Sequence, residues 1–384
     1  MHRIDRLHIT GFKRLREIDI EMRPLIILIG ANGVGKTSFL EAISLLSASA
    51  NGNLNTKLSD LGGIFGISTI GQAPEMMLSV STTFPDQNLM HYLLKIEGNK
   101  NGFGYNIPEE KLTQGPKEIP DSFFYINSKN QNISYWNQLT NQYIQPNWQY
   151  NYLESALSQV PKMFELSEVF RQTINSKAHY HVLNVGQYAP VKSPQQMKPA
   201  YFPGENGEEL FSFLYTMKES FKDKYDLIED TLRAAFPWFE SLNFPPIATG
   251  MFSMFWKEKQ FKNPIHPYYL SEGTLRFLWL ISLLHSPNLP AITMIDEPEV
   301  SLHPEMFPLL VDTMREASAR TQLIVATHSD RLVRFLEPQE VFVMDIGEDG
   351  YSTGQWADSF DLERWLRDYT LDEVWRMGRI GGRA

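Results

Sequence analysis

The chain has 384 residues, 42% of them hydrophobic and 21% charged, which allows two or three domains, or one with a large insertion, and excludes disordered, collagenous and coiled-coil compositions. There is no cysteine, so thiol catalysis, thiolate metal sites and disulfides are all removed. With 35 Lys and Arg against 45 Asp and Glu, the net charge of −10 argues against nucleic acid wrapped over the whole surface and leaves room only for a local basic groove.

Ile4, Leu7 and Ile9, then Ile18 and Ile20, alternate as in strands with one wet face, whereas Leu25-Ile26-Ile27-Leu28-Ile29 is the unbroken run of a strand buried on both faces. After a glycine-rich stretch, Phe39, Leu40, Ile43 and Leu46 recur at helical spacing, and Asn51-Gly52-Asn53 closes that helix. Met77 to Phe84 and Met90 to Ile96 predict a hairpin around Pro85-Asp86. From Ser122 to Tyr152 there are 12 Asn or Gln and nine aromatics, with Lys129 the only charge. Such a segment is a Tyr-rich antiparallel insertion or a surface loop that meets a partner, rings packed within an insert being the commoner use. Residues 153 to 183 and 208 to 236 read as helices.

The last third returns to an α/β plan. Leu270 to His285 is helical, Ala291 to Ile295 is a buried strand, a helix runs to about Ala317, and the strands Gln322 to Ala326 and Glu340 to Ile346 follow. In the tail, Leu362, Trp365, Leu366 and Tyr369 predict an amphipathic helix, and Thr370-Leu371-Asp372-Glu373 a capping box. The longest apolar stretch, Leu275 to Leu284, is broken by Arg276 and Ser282, so no membrane span is expected and a cytoplasmic protein follows. Lys13, Arg14, Arg16 and Arg23 form a basic cluster that reads as a solvated strand edge or as a DNA-facing surface.

Gly30-Ala31-Asn32-Gly33-Val34-Gly35-Lys36-Thr37 matches G-x-x-x-x-G-K-[ST] between a buried strand and a helix, where backbone N–H groups and the positive helix end can cradle phosphates. Lys36 is placed for the β- and γ-phosphates and the Thr37 hydroxyl for Mg²⁺, with Ser38 next in the nucleotide-contacting run. Ile292-Thr293-Met294-Ile295-Asp296-Glu297 is an aliphatic strand ending in two acids. Asp296 fits a Walker B carboxylate reaching Mg²⁺, and Glu297 is placed to orient and deprotonate an attacking water.

Leu270-Ser271-Glu272-Gly273-Thr274, at a helix start about 25 residues before Asp296, resembles the LSGGQ signature of ATP-binding-cassette ATPases. Glu299-Val300-Ser301-Leu302-His303-Pro304 looks like the D-loop of that group, and Ala326-Thr327-His328-Ser329-Asp330 like its switch-histidine loop. The chain therefore resembles the SMC-like and RecF-like branch of ABC ATPases. Within that branch it is similar to the bacterial AAA-type ATPases related to the ATPase part of overcoming-lysogenization-defect nucleases.

The resemblance implies an α/β fold: a P-loop NTPase, here an ABC-type ATPase head with a mixed α/β insertion between Walker A and the signature. The core would comprise residues 1–47 and 261–384, and the lobe strands and insertion residues 48–260. It further implies that Glu297 and His328 act in hydrolysis, that residues 30–38 hold ATP, and that Thr37 and Asp296 hold Mg²⁺. Ser271 and Gly273 would then act on ATP held by a second copy, in an ATP-sandwiched homodimer. For the family's Mg²⁺-contacting Q-loop glutamine, Gln159 and Gln72 are rivals. There is no coiled-coil rod, and only 56 residues follow His328, so no Toprim nuclease is expected there. The function implied is a Mg²⁺-dependent ATPase that switches a DNA transaction, in repair or chromosome handling, or an antiphage response. The alternative is a nucleotide-gated module that recruits a separate nuclease or toxin effector, hydrolysis being incidental.

Overall fold

The computed structural model describes residues 3–84, 89–115 and 123–381. The chain divides into two units, one formed by Met1–Lys177, Gln339–Asp361 and Gly378–Arg383, the other chiefly by Ala178–Pro338 and Leu362–Met377.

The first unit begins with the three expected strands, β1 (Arg6–Phe12), β2 (Leu15–Glu21) and β3 (Leu25–Ile29). Leu7 and Ile9 of β1 and Ile18 and Ile20 of β2 are buried while their neighbours alternate outward, and every residue of β3 is buried. After the helix Lys36–Ala50 come β4 (Glu75–Thr83), β5 (Leu89–Gly98), β6 (Tyr105–Gln114), β7 (Phe123–Lys129), β8 (Asn132–Asn137) and β9 (Gln142–Ile144). These join β1 and β2 in an eight-stranded antiparallel sheet of order β2-β1-β4-β5-β6-β7-β8-β9. The expected turn Pro85-Asp86, and Ser122, lie outside the described residues. β3 stays out of that sheet and pairs in parallel with Val341–Ile346, which pairs antiparallel with Ser352–Trp356.

The amide- and aromatic-rich segment thus supplies the outer strands of the sheet. Its rings pack on one another across the strands: Trp136 faces Tyr143 in register with centroids 5.0 Å apart, and Phe123 meets Trp136 edge-on at 4.8 Å. Tyr135 is fully buried, and its hydroxyl donates to the Ala156 carbonyl at 2.9 Å. The basic cluster is largely neutralised within its own unit. Lys13 pairs with Glu41, Arg16 with Asp349 at 2.7 Å and Arg23 with Asp358 at 2.8 Å, as befits a solvated strand edge.

The helix expected over residues 153 to 183 is confined to Glu165–Asn175. Before it runs a loop with one 3₁₀ turn at Leu157–Gln159, and after it a strand, β10 (Lys177–Tyr180). The loop is fixed from a distance. Glu110 of β6, only 1% exposed, accepts from the Ala156 N–H at 2.6 Å, the Leu157 N–H at 2.8 Å and the Tyr92 hydroxyl at 2.9 Å. Burial pushes the Glu110 carboxyl up to about 7, against the pull of those three donors.

The folded state therefore binds this proton more tightly than the unfolded chain does. The contribution to stability is full below the ordinary value of 4.5 and is lost as pH rises through 7. At about 1.4 kcal/mol per unit the loss is on the order of 3 kcal/mol. Glu110→Gln, which keeps the shape and an acceptor oxygen, is expected to flatten the pH dependence of thermal unfolding between those limits. A slope equal to the parent's would show that Glu110 does not titrate there.

In the second unit, the expected helix from Leu270 begins at Glu272 and runs to Leu284. The strands Ile292–Asp296 and Gln322–Ala326 are parallel, with the helix Phe307–Ser318 between them in sequence, and β10 lies on the other side of Ile292–Asp296. The helix expected over 208 to 236 breaks at Phe221 into Leu210–Ser220 and Lys222–Ala235. In the tail, Leu362 to Tyr369 forms successive turns and no helix. Thr370 takes extended geometry to cap the next segment, so no helical run can pass through it. The capping box itself is present, with the Thr370 N–H donating to Glu373 at 2.8 Å. Among the described residues no helix is long and apolar enough to cross a membrane.

Candidate active site

β3 ends at Ile29, and the chain curls through Gly30 to Gly35 into the helix Lys36–Ala50. Gly35, at the cap position, has φ 105°, and a Cβ there would stand 2.9 Å from the Leu15 side chain and the Ser352 hydroxyl, so only glycine fits. The Ser352 hydroxyl donates to the Val34 carbonyl at 2.7 Å and pins the loop from outside. The first N–H groups of a helix have no acceptor within it, and those of Lys36, Thr37 and Ser38 open this one. Lys36 is 4% exposed, and its ammonium donates to the carbonyls of Gly30 at 2.6 Å and Ala31 at 3.1 Å. The cation is thus held inside the curl of its own loop, while Asn32, Gly33 and Thr37 are exposed around it. A cation, a helix N-terminus and a flexible glycine backbone together form an anion cradle.

In the other unit, four buried residues carry the strand Ile292–Asp296 to its acidic end, where Asp296 lies in register with Ala326. Glu297 comes next, with φ 50°, a left-handed backbone that a non-glycine residue takes at a cost. Its N–H donates to the Ala326 carbonyl at 2.8 Å. The Glu297 carboxylate oxygen stands 3.7 Å from Nε2 of His328, and both side chains are partly exposed. A carboxylate and an imidazole are so brought together at the same end of two parallel strands, close enough to bind a common water.

Two further side chains brace the loops around this pair. The Glu299 carboxylate, pushed up by burial, accepts from the Thr327 hydroxyl at 2.6 Å and from the His328 N–H at 3.1 Å. Arg276 donates to the carbonyls of Leu183 at 3.2 Å and Val300 at 3.4 Å, and to the Ser301 hydroxyl. Neither role has a local signal, because each depends on partners far away in sequence.

Ser271 is the cap of the helix Glu272–Leu284, its hydroxyl accepting from the Thr274 N–H at 3.1 Å, and it is exposed. A Cβ on Gly273 would collide with the Ser301 carbonyl oxygen, so glycine is required at this position by close approach of the backbone at Ser301. Gln159 is tied into the loop of the first unit. Its amide donates to the carbonyls of Asn151 at 2.9 Å, Ser155 at 3.3 Å and Glu154 at 3.4 Å, and accepts from the Asn151 N–H at 2.8 Å. Gln72 is exposed in a turn closed by its N–H on the Thr69 carbonyl. A feature absent from the sequence reading is a pair of histidines, His179 and His181, beside Asp296.

Thr37 and Asp296 offer a hydroxyl and a carboxylate, the hard oxygen donors that suit Mg²⁺.

The fold is similar to that of a crystallised SmcHead bound to the C-winged helix domain of ScpA, with TM-score 0.55 and 14% identity over 93% of this chain and 99% of that one. It is also similar to an Smc head domain with an extended coiled coil bound to the C-terminal domain of ScpA derived from Pyrococcus furiosus, with TM-score 0.52 and 13% identity over 96% and 99%. At such identities the likeness carries the fold alone. No curated protein matches the sequence. Residues 25–334 match the family described as "AAA domain, putative AbiEii toxin, Type IV TA system". With more than half its length matched, the chain belongs to that AAA-domain family, and its fold is the P-loop NTPase fold of ABC-type, SMC-like ATPase heads.

Proposed function

We propose that this chain is a Mg²⁺-dependent ATPase whose nucleotide cycle closes and opens a homodimer in the cytoplasm. The observation that carries hydrolysis, beyond binding, is Glu297: a carboxylate held in costly left-handed backbone 3.7 Å from His328. Lys36 and the N–H groups opening its helix would bind the β- and γ-phosphates, and Thr37 and Asp296 would hold the ion. Bound Mg²⁺ supplies charge neutralisation at the phosphate oxygens. Glu297 takes a proton from the attacking water as its oxygen bonds to the γ-phosphorus and the bond to the β,γ-bridging oxygen breaks. His328, with its backbone fixed by Glu299, donates a hydrogen bond toward the γ-phosphate.

Ser271 is exposed at the start of its helix and would serve ATP held by the second copy. Residues 48–260 would then be an insertion within one ATPase core, and the output a DNA transaction or an antiphage response. The family's own description, naming a toxin of a toxin–antitoxin system, supports defence over repair.

The composite site has a direct test. Ser271→Arg protein and Lys36→Ala protein, each inactive alone, are mixed and heterodimers are verified. Each heterodimer keeps one intact site, so a random mixture should recover roughly a quarter of the parental sites. No recovery would rule out independent sites shared between subunits.

A further inference from the structure

Asp296 has company at the end of its strand. β10 runs beside Ile292–Asp296, and residues two apart along an extended chain share a face. His179 and His181 therefore point the same way. Tyr180 takes the other face, where its ring packs edge-on against Trp279 with centroids 5.6 Å apart. The two imidazoles lie 4.2 Å apart, centroid to centroid. One nitrogen from each ring and an Asp296 carboxylate oxygen all fall within 4.8 Å of one another. His179 and Asp296 are half-buried and His181 is exposed, so the trio is reachable from solvent.

This donor set differs from the one Mg²⁺ asks for. Mg²⁺ takes oxygen ligands and keeps several waters, whereas imidazole suits Fe²⁺, Ni²⁺, Cu²⁺ and Zn²⁺, for which Co²⁺ is a spectroscopic stand-in. With metal–ligand bonds of about 2.0–2.2 Å, donors on one ion stand roughly 3 to 4 Å apart, so small side-chain rotations would close the trio. Three protein donors also leave positions open for water or a phosphate oxygen.

We propose that His179, His181 and Asp296 form a binding site for a divalent first-row transition ion. The proposal touches the ATPase reading only at Asp296, the residue both would use; the ion site itself needs no nucleotide. The probe is Co²⁺, titrated into the nucleotide-free full chain in excess Mg²⁺ and followed by its visible absorption bands, which report imidazole ligation. The parent should bind Co²⁺ despite Mg²⁺. His181→Ala, at an exposed position, should weaken binding at least about tenfold, and His179→Gln should change the bands. Unaltered Co²⁺ affinity in both variants, or no binding by the parent, would overturn the site. The same titration on Lys36→Ala protein separates the two readings: Co²⁺ binding there, with ATP binding lost, upholds both. Co²⁺ binding by a parent that does not hydrolyse ATP upholds the ion site alone.

Discussion

Lys36→Ala should abolish ATP binding or turnover. The P-loop contains no other cation, and this one is 4% exposed, anchored on the Gly30 and Ala31 carbonyls at the positive end of a helix. Such a site works because it is built before the phosphates arrive, and removing a preorganised charge of this kind costs about 10²–10³-fold or more in rate. Alanine leaves two loop carbonyls facing the place where anionic oxygens would sit, so binding is lost along with catalysis. Nucleotide binding by equilibrium fluorescence and phosphate release under excess Mg²⁺ measure the two separately. Unchanged Mg²⁺-ATPase activity would end the assignment of the nucleotide site.

Glu297→Gln should do something different: keep ATP and stop its hydrolysis. Glutamine preserves the side chain's shape and can still hydrogen-bond a water, but it cannot accept the water's proton. Loss of a general base lowers the rate by about 10²- to 10⁴-fold. Lys36, Thr37 and Asp296 are untouched, so bound ATP should persist and closed dimers should accumulate. Light scattering with and without ATP reads the dimer, and single-turnover phosphate release reads the chemistry. Hydrolysis at the parental rate would move the base elsewhere, His328 being the nearest alternative in the same unit.

Much of this was legible in the sequence, for reasons that can be stated residue by residue. β3 and the strands Ile292–Asp296 and Gln322–Ala326 are buried on both faces, so they are written almost wholly in apolar residues, Thr293 and Gln322 being the buried exceptions. Gly35 and Lys36 stand out because no other residues satisfy that turn and that charge. β6 was hidden because Glu109, Glu110 and Lys111 interrupt it. The buried member, Glu110, is acceptable only because Tyr92, Ala156 and Leu157 donate to it from far along the chain. The His179–His181 pair was hidden by the helical reading of 153 to 183, which scrambles a period of two. The helix expected from Leu362 gave way to turns beside the capping box, whose Thr370 takes extended backbone and interrupts any helical run across it.

The backbone of Glu297 bears on how this protein would respond to engineering. Glycine or asparagine would occupy a φ of 50° with less strain than glutamate does, so folding alone would prefer either of them at that position. A library of variants ranked purely by melting temperature would therefore drift away from glutamate, and each step of apparent improvement would erase the proposed base. Any stabilisation campaign on this chain would need an activity gate at residue 297, because there the more comfortable protein is the one that has stopped working.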